Sequence, residues 1–257
     1  SEEGNFEEKN ILTINDGVSL SERDSVKNIL SVLKKERENR ESLHVDDKIL
    51  VSWNALLIKS LSKAFVVTGD GQYLTSAKNA ATFIKKEIFE KGGLKRAFKD
   101  RPFGIPLLED YAFLVEALFE LYQTEFDESW LVFAEMLQKE QDHKFWDKEN
   151  FGYISSDSKE LIEQKKEIFD NVIPSGNSIS YRNLLRWHEL TGHIGSYEKA
   201  QNIIKAFGKL IERNASGVPF MLSEFIGKEV GRTQVVASAY DGINNLRKKN
   251  TFPFCFF

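Results

Sequence analysis

Phe65-Val66-Val67-Thr68 ends a stretch with helical periodicity, and two similar endings follow it, Leu121-Tyr122-Gln123-Thr124 and His188-Glu189-Leu190-Thr191. Each ending precedes a short turn and then an aromatic residue at the start of another helical stretch. The three threonines are separated by 56 and 67 residues. The repeating unit is therefore a pair of helices joined by a tight turn, and this repeat decides the predicted fold.

Apolar residues recur at helical spacing through most of the chain, and stretches that alternate with period two are almost absent. The sequence predicts seven helices, at residues 21–40, 47–67, 72–89, 109–122, 128–141, 176–190 and 197–211. Residues 92–108 are predicted to be a long functional loop, and residues 145–155 a short hairpin. The repeat is longer than the roughly 34–47 residues of common helical solenoids. We therefore predict an all-α fold in which repeated helical hairpins form an α/α toroid, with helices two, four and six on the inside.

Composition and charge restrict the class of protein. The 257 residues contain 35 basic and 39 acidic side chains, with a formal net charge of -4, so no overall positive charge attracts nucleic acid or an anionic membrane. The single cysteine, Cys255, excludes an internal disulfide and a cysteine metal cluster. No apolar stretch approaches the roughly 18 residues of a membrane helix, and the N-terminus lacks a signal-peptide pattern. We predict a cytoplasmic protein with no nucleic-acid partner, no membrane partner, no cofactor and no metal.

Acidic, amide and aromatic residues collect where the three inner helices are predicted to begin. In a toroid these helix ends share one face with the long connecting segments, which makes that face the candidate ligand site. Carboxylates and amides bond to sugar hydroxyls, aromatic rings stack on sugar rings, and paired carboxyl groups suit acid and base catalysis at a glycosidic bond. The predicted catalytic residues are Asp46, Asp47 and Asp110. The predicted substrate-binding residues are His44, Trp53, Asn54, Glu109, Tyr111, Ser175 and Asn177.

Each of these residues also has a structural interpretation. Aspartate and serine at a helix start are common N-caps, and acids there interact favourably with the helix dipole. An isolated histidine such as His44 is more often a surface or packing residue than a proton carrier. The basic residues Lys95, Arg96, Lys99 and Arg101 are interpreted as part of a solvated loop, with binding of a phosphate or carboxylate as the alternative. Capping accounts least well for Asp46 and Asp47, because one cap explains one aspartate, and they precede Trp53, which is expected to be buried.

Five stretches match a known family in order and at similar distances. They are residues 3–12 (EGNFEEKNIL), 46–54 (DDKILVSWN), 109–113 (EDYAF), 145–147 (FWD) and 173–178 (IPSGNS). In these stretches the chain resembles the spermatogenesis-associated, thioredoxin-domain-containing proteins. The resemblance implies a six-hairpin, glycosidase-like toroid of the (α/α)6 class, of which this chain forms the later part. It covers residues 1–230, and residues 231–257 are predicted to be a poorly matched tail from a truncated or frameshifted reading frame.

Members of the resembling family carry a thioredoxin-like domain ahead of the toroid, whereas this chain has no Cys-x-x-Cys pair, so redox activity is not carried over. The resemblance and the site residues together predict a partial glycosidase- or epimerase-like protein that binds a carbohydrate-like small molecule at the N-termini of the inner helices. The alternative is a non-catalytic binding or interaction module that accompanies the thioredoxin-like domain in a longer parent protein. In either case we expect self-association through the open edge of the partial toroid.

Overall fold

The computed structural model describes residues 7, 11, 20–40, 44–90, 92–157 and 164–231. These residues fall into two compact units, Ser1–Asp47 and Lys48–Phe257. The first unit contains α1, Leu20–Glu38, whose last turn carries Lys35 and Arg37 against the negative end of the helix dipole. This helix confirms the prediction for residues 21–40 to within two residues at each end. The predicted tail, including Cys255, lies outside the described residues apart from Gly231, as does most of the stretch 3–12.

The second unit contains seven α-helices and five short strands among its described residues. The helices are α2 (Val51–Thr68), α3 (Gly71–Phe83), α4 (Leu108–Glu125), α5 (Glu128–Phe145), α6 (Gly176–Thr191), α7 (Ile194–Arg213) and α8 (Pro219–Val230). The strands are β1 (Ile49–Leu50), β2 (Phe89–Glu90), β3 (Gly93–Leu94), β4 (Ala97–Lys99) and β5 (Arg101–Phe103). A π-helical turn, Ile84–Ile88, extends α3, and a 3-10 turn, Ala215–Gly217, precedes α8.

The helices pack as three hairpins. α4 lies between α2 and α6 and packs on both, while α3 packs on α2, α5 on α4 and α7 on α6. Each hairpin therefore has one inner and one outer helix, as predicted. The central position of α4 explains why every residue from 110 to 121 is buried. The core consists mainly of apolar side chains at the helix contacts, including Ile58, Leu114, Phe133, Leu184 and Ile203.

The threonine repeat has a local explanation. The hydroxyls of Thr68, Thr124 and Thr191 each donate a hydrogen bond to the carbonyl oxygen four residues earlier, at 2.7, 2.7 and 2.6 Å. After two of these threonines, Gly69 and Gly192 adopt left-handed φ angles of 73° and 71° and end α2 and α6. The helix that follows each threonine is α3, α5 or α7, and its N-terminus is capped by the side chain of Asp70, Asp127 or His193, respectively. The repeat in the sequence therefore corresponds to the tight turn of each hairpin.

The segment before α4 differs from the predicted loop. Strand β4 pairs antiparallel with both β1 and β5, and β2 pairs with β3. Because Ile49 and Leu50 are extended in order to pair with Phe98 and Ala97, α2 begins at Val51, and the prediction of a helix start at residue 47 was wrong. Helix α8, which packs on α6, was not predicted. The predicted hairpin near residues 145–155 is present as one antiparallel bridge between Trp146 and Tyr153.

Candidate functional site

The first turns of α2 and α4 are joined by one buried carboxyl group. Asp110 is fully buried, and its Oδ1 accepts a hydrogen bond of 3.2 Å from the backbone N–H of Ser52 in α2. Its Oδ2 accepts one of 2.8 Å from the backbone N–H of Leu107, just before α4. Backbone N–H groups in the first turn of a helix have no partner within the helix. Asp110 therefore caps two helices at once and aligns their N-termini.

Arg96 is held over these helix ends by the small sheet. Its carbonyl oxygen accepts a hydrogen bond of 3.0 Å from Val51, and its backbone N–H donates to Gly104 at 3.3 Å. The guanidinium lies 3.4 Å from Glu109 Oε1 and 3.5 Å from Asp110 Oδ2. The side chains of Arg96 and Glu109 are each 32% exposed, so this ion pair is accessible from solvent. Arg96 lies in the bend between β3 and β4, and its guanidinium pairs with the acids of α4.

Burial dominates the electrostatics of Asp110. It raises the pKa of the carboxyl group to about 6, against the opposing effects of the Leu107 N–H and of Arg96. Both carboxyl oxygens are engaged by backbone donors, so the group has a structural function at this position. A role for Asp110 as an acid or base stays a prediction.

Trp53 lies in the first turn of α2, next to the capped Ser52, and is 67% exposed. The expectation that Trp53 is buried was wrong, because α4 packs on the other side of the turn, where Ser52 and Ala55 are buried. The amide nitrogen of Asn54 donates a hydrogen bond of 2.8 Å to the carbonyl oxygen of Leu50, within the same turn. Of these residues, Trp53 presents the largest accessible surface to a ligand.

Tyr111 of α4 faces the protein core. It is fully buried, and its ring packs edge-on against Phe145 with a centroid distance of 5.6 Å. Burial, followed by the neighbouring Glu140 carboxylate, raises the pKa of its hydroxyl well above the ordinary value. The structure therefore places Tyr111 in the core, where its ring has no free face for stacking on a sugar.

The start of α6 is held by hydrogen bonds within the chain. The hydroxyl of Ser175 accepts a hydrogen bond from the N–H of Ser178 at 3.1 Å and donates to the carbonyl oxygen of Ile168 at 3.0 Å. The fully buried amide of Asn177 donates to the carbonyl oxygens of Tyr153 and Glu167 and accepts from the Tyr153 N–H, each at 2.8 Å. These contacts fix the aromatic hairpin to α6. A ligand would have to displace them, and the predicted binding roles of Ser175 and Asn177 stay predictions.

His44, Asp46 and Asp47 belong to the first unit. They lie in an exposed stretch without regular secondary structure that ends at the boundary between the units. The structure thus brings together Trp53, Glu109 and Asp110 of the predicted residues, with Arg96 added. The roles predicted for His44, Asp46 and Asp47 stay predictions.

A buried network of charges joins the inner helices farther from their N-termini. Glu116 of α4 lies 2.7 Å from Lys59 of α2 and 3.0 Å from Arg182 of α6. One turn later, Glu120 lies 2.8 Å from Arg186. Burial acts to raise the pKa of Glu120, but Arg186, Lys63 and Arg182 outweigh it, and the pKa is lowered.

This network was not predicted from the sequence. The sequence does contain a sign of this network. Glu116 and Glu120 are four positions apart in a largely apolar stretch of α4, and Arg182 and Arg186 have the same spacing in α6. Two further negative findings hold for the described residues. No group of three or more His, Cys, Asp or Glu is arranged to hold a metal ion. In the same part of the chain, no helix combines the length and apolar composition that crossing a bilayer requires.

Relatives in sequence agree with the family resemblance. The chain is 32% identical to spermatogenesis-associated protein 20 of Rattus norvegicus and 30% identical to that of Homo sapiens, each match covering 91% of this chain. The chain is a homologue of spermatogenesis-associated protein 20. The predicted relationship is thereby confirmed, while the thioredoxin-like part of the family pattern stays a prediction. The chain spans 33% of the length of these two relatives, and no protein-family model matches it.

Solved structures similar to this homologue of spermatogenesis-associated protein 20 share its fold. A GH76 α-mannanase of Bacteroides thetaiotaomicron has a TM-score of 0.53 at 16% identity, over 75% of this chain and 57% of that one. The cellobiose 2-epimerase of Spirochaeta thermophila has a TM-score of 0.53 at 18% identity, over 74% and 55%. An inactive variant of an α-1,6-mannanase from Salegentibacter, with two consecutive aspartates changed to alanine, has a TM-score of 0.52 at 14% identity, over 74% and 54%. These similarities confirm the predicted α/α-toroid fold.

Proposed function

We propose that the face formed by the N-termini of α2 and α4 binds a carbohydrate-like ligand. The observation that carries this proposal is the bond between Ser52 and Asp110, because the residues next to it, Trp53 and Glu109, are the accessible ones. An exposed indole in the first turn of α2, with an accessible carboxylate and guanidinium at the start of the neighbouring α4, offers a stacking surface together with hydrogen-bond acceptors and donors. That combination suits the C–H faces and hydroxyls of a sugar.

The fold supports the choice of ligand class. The solved structures that resemble this chain include a mannanase and a cellobiose epimerase, and those names describe what those proteins act on. Fold similarity alone is a weak guide to function, because one fold supports many chemistries. The accessible rim of Trp53, Arg96 and Glu109 adds an argument from this chain's own residues.

The test is a binding titration with cellobiose and with mannotetraose, using the wild-type chain and Trp53→Ala. We expect the wild type to bind one of these sugars, and we expect Trp53→Ala to weaken that binding about tenfold through loss of stacking. Val67→Ala is the matched control, since Val67 is an 82% exposed apolar residue at the other end of α2. Equal weakening by both variants, or binding that Trp53→Ala leaves unchanged, would contradict the proposal.

Catalysis in this proposal rests on the consecutive pair Asp46 and Asp47. A mannanase of the same fold is inactive when two consecutive aspartates are replaced, and by analogy Asp46 and Asp47 are proposed as the acid and base of a hydrolase or epimerase. The double variant Asp46→Asn/Asp47→Asn is then expected to abolish turnover of cellobiose or mannotetraose. Turnover of cellobiose or mannotetraose that survives in the double variant would exclude this pair.

The second candidate function is binding without turnover, as a module within a longer protein. The observation that favours it is the environment of Asp110, the third predicted catalytic residue, whose two carboxyl oxygens both accept backbone hydrogen bonds. The two candidates differ in one result. A binding module retains sugar affinity and produces neither reducing ends nor epimerised sugar, whereas an enzyme produces one of them.

A further inference from the structure

A cleft of about 410 Å³ lies between the strands that precede α4 and the C-terminal part of α5. Its walls include apolar groups of Pro102, Phe103 and Ile105 and charged groups of Lys95, Lys144 and Asp157. Ligand pockets for small molecules commonly measure about 300–1,000 Å³ and combine an apolar lining with a few polar groups. Lys95 is the chain neighbour of Arg96, so the cleft adjoins the rim described above.

Lys95 is the charged group that lacks a partner. The residue is partly exposed in the cleft, and its ammonium group makes no ion pair or hydrogen bond among the described residues. Pairing of this cation with an anion would therefore not break an existing ion pair. An anion that entered the cleft would supply a partner.

Lys144 contributes a second cation, but one shared between two acids. Its Nζ lies 3.8 Å from Glu140 Oε1 and 3.9 Å from Asp157 Oδ2, and the three side chains are 19–31% exposed. Neither distance is that of a hydrogen bond, so both carboxylates keep free acceptor capacity. Gly93, with a φ of 98°, leaves room for Glu140, whose Oε1 would lie 1.8 Å from a Cβ at that position.

We propose that this cleft binds an anionic sugar, a sugar acid or a sugar phosphate, with its carboxylate or phosphate on Lys95 and its hydroxyls donating to Asp157. The sugar part of this inference rests on the proposed function. The anionic part rests on Lys95 and the cleft alone.

The test is isothermal titration calorimetry of the full chain with glucuronate, glucose and inorganic phosphate, each in a separate titration. We expect the wild type to bind glucuronate at least about tenfold more tightly than glucose, since a charge-assisted contact with Lys95 distinguishes the two. Lys95→Gln should abolish that preference, and Lys95→Arg should retain most of it. The control is Lys209→Gln, which removes an exposed lysine of α7 and should leave both affinities unchanged.

The outcomes separate the two proposals. Equal binding of glucuronate and glucose by the wild type overturns the anion site and leaves sugar binding standing. Binding of phosphate that depends on Lys95, without binding of either sugar, supports the anion site and contradicts the proposed function. A glucuronate preference that persists in a correctly folded Lys95→Gln variant, or the absence of any binding, overturns the inference.

Discussion

Asp110 Oδ1 lies 3.2 Å from the backbone nitrogen of Ser52, and this hydrogen bond connects residues 58 positions apart at the starts of two inner helices. The same carboxyl group bonds to the N–H of Leu107 through its other oxygen. One aspartate thereby fixes the position of the first turn of α2 relative to the first turn of α4. The accessible residues beside it, Trp53 and Glu109, are positioned as a consequence.

Removal of this double cap should destabilise the chain strongly. Asp110→Ala leaves the buried N–H of Ser52 and the partly buried N–H of Leu107 unsatisfied, and we expect a loss of at least about 2 kcal/mol in the free energy of unfolding. Asp127→Ala, which removes the exposed cap of α5, should cost about 1 kcal/mol. Urea denaturation of both variants measures the difference. A loss in Asp110→Ala no larger than that in Asp127→Ala would contradict the double-cap interpretation.

The titration of Asp110 should be visible in the pH dependence of stability. Its pKa is raised to about 6 in the folded chain, whereas an exposed aspartate titrates near about 4. The folded state therefore binds the proton more tightly, and the contribution of Asp110 to stability is present below about pH 4 and lost as the pH rises through about 6. Between about pH 4 and 7, the wild type should lose up to about 3 kcal/mol more than Asp110→Asn. Parallel stability curves for the two proteins would show that burial of Asp110 has no such effect.

The buried network around Glu116 predicts a large effect from a single charge. Glu116→Gln leaves Lys59 and Arg182 without their shared carboxylate, and we expect a loss of about 3–5 kcal/mol in the free energy of unfolding. Glu135→Gln is the control, because Glu135 pairs with Lys139 on the surface of α5, where such pairs contribute less than about 1 kcal/mol. If chemical denaturation gave similar losses for the two variants, the network would not be a significant source of stability.

Two glycines should respond to alanine with opposite signs. Gly93 has a φ of 98°, and an added Cβ would collide with the Glu140 carboxylate, so Gly93→Ala should destabilise the chain by about 1–3 kcal/mol. Gly208 lies within α7 with nothing near the position of a Cβ, so Gly208→Ala should stabilise it by about 0.5–1 kcal/mol. Thermal unfolding of the two variants shows whether each substitution raises or lowers the stability of the chain. A neutral Gly93→Ala variant would show that the segment relaxes without strain.

The repeat and the helical periodicity were sufficient to predict the hairpins, because each repeated threonine marks a local event, the end of an inner helix. The sequence did not predict that α2 begins at Val51, since this depends on pairing of Ile49 and Leu50 with a strand almost fifty residues away. Local propensity carries no information about such distant partners.

The candidate site was predicted less well than the fold for the same reason. Acids at helix starts were recognised, but whether an acid faces solvent or a neighbouring helix depends on packing. Asp110 and Glu109 are adjacent, yet the first is fully buried and the second accessible. The ion pairs of Arg96 with Glu109 and Asp110 were not predicted, because the position of Arg96 follows from the strands around it. Trp53 was expected to be buried, although only one side of its helical turn contacts α4.

A sugar that binds as proposed stacks on Trp53 at the joined N-termini of α2 and α4. The most direct test follows the indole N–H signals of Trp53, Trp130, Trp146 and Trp187 by nitrogen-15 NMR during a titration with cellobiose or mannotetraose. Trp130 is an internal reference, since it is buried and its indole N–H donates to Glu125 at 2.6 Å. We expect a saturable shift of the Trp53 signal with the Trp130 signal unchanged. A saturable shift of other tryptophans while the Trp53 signal stays fixed would contradict it.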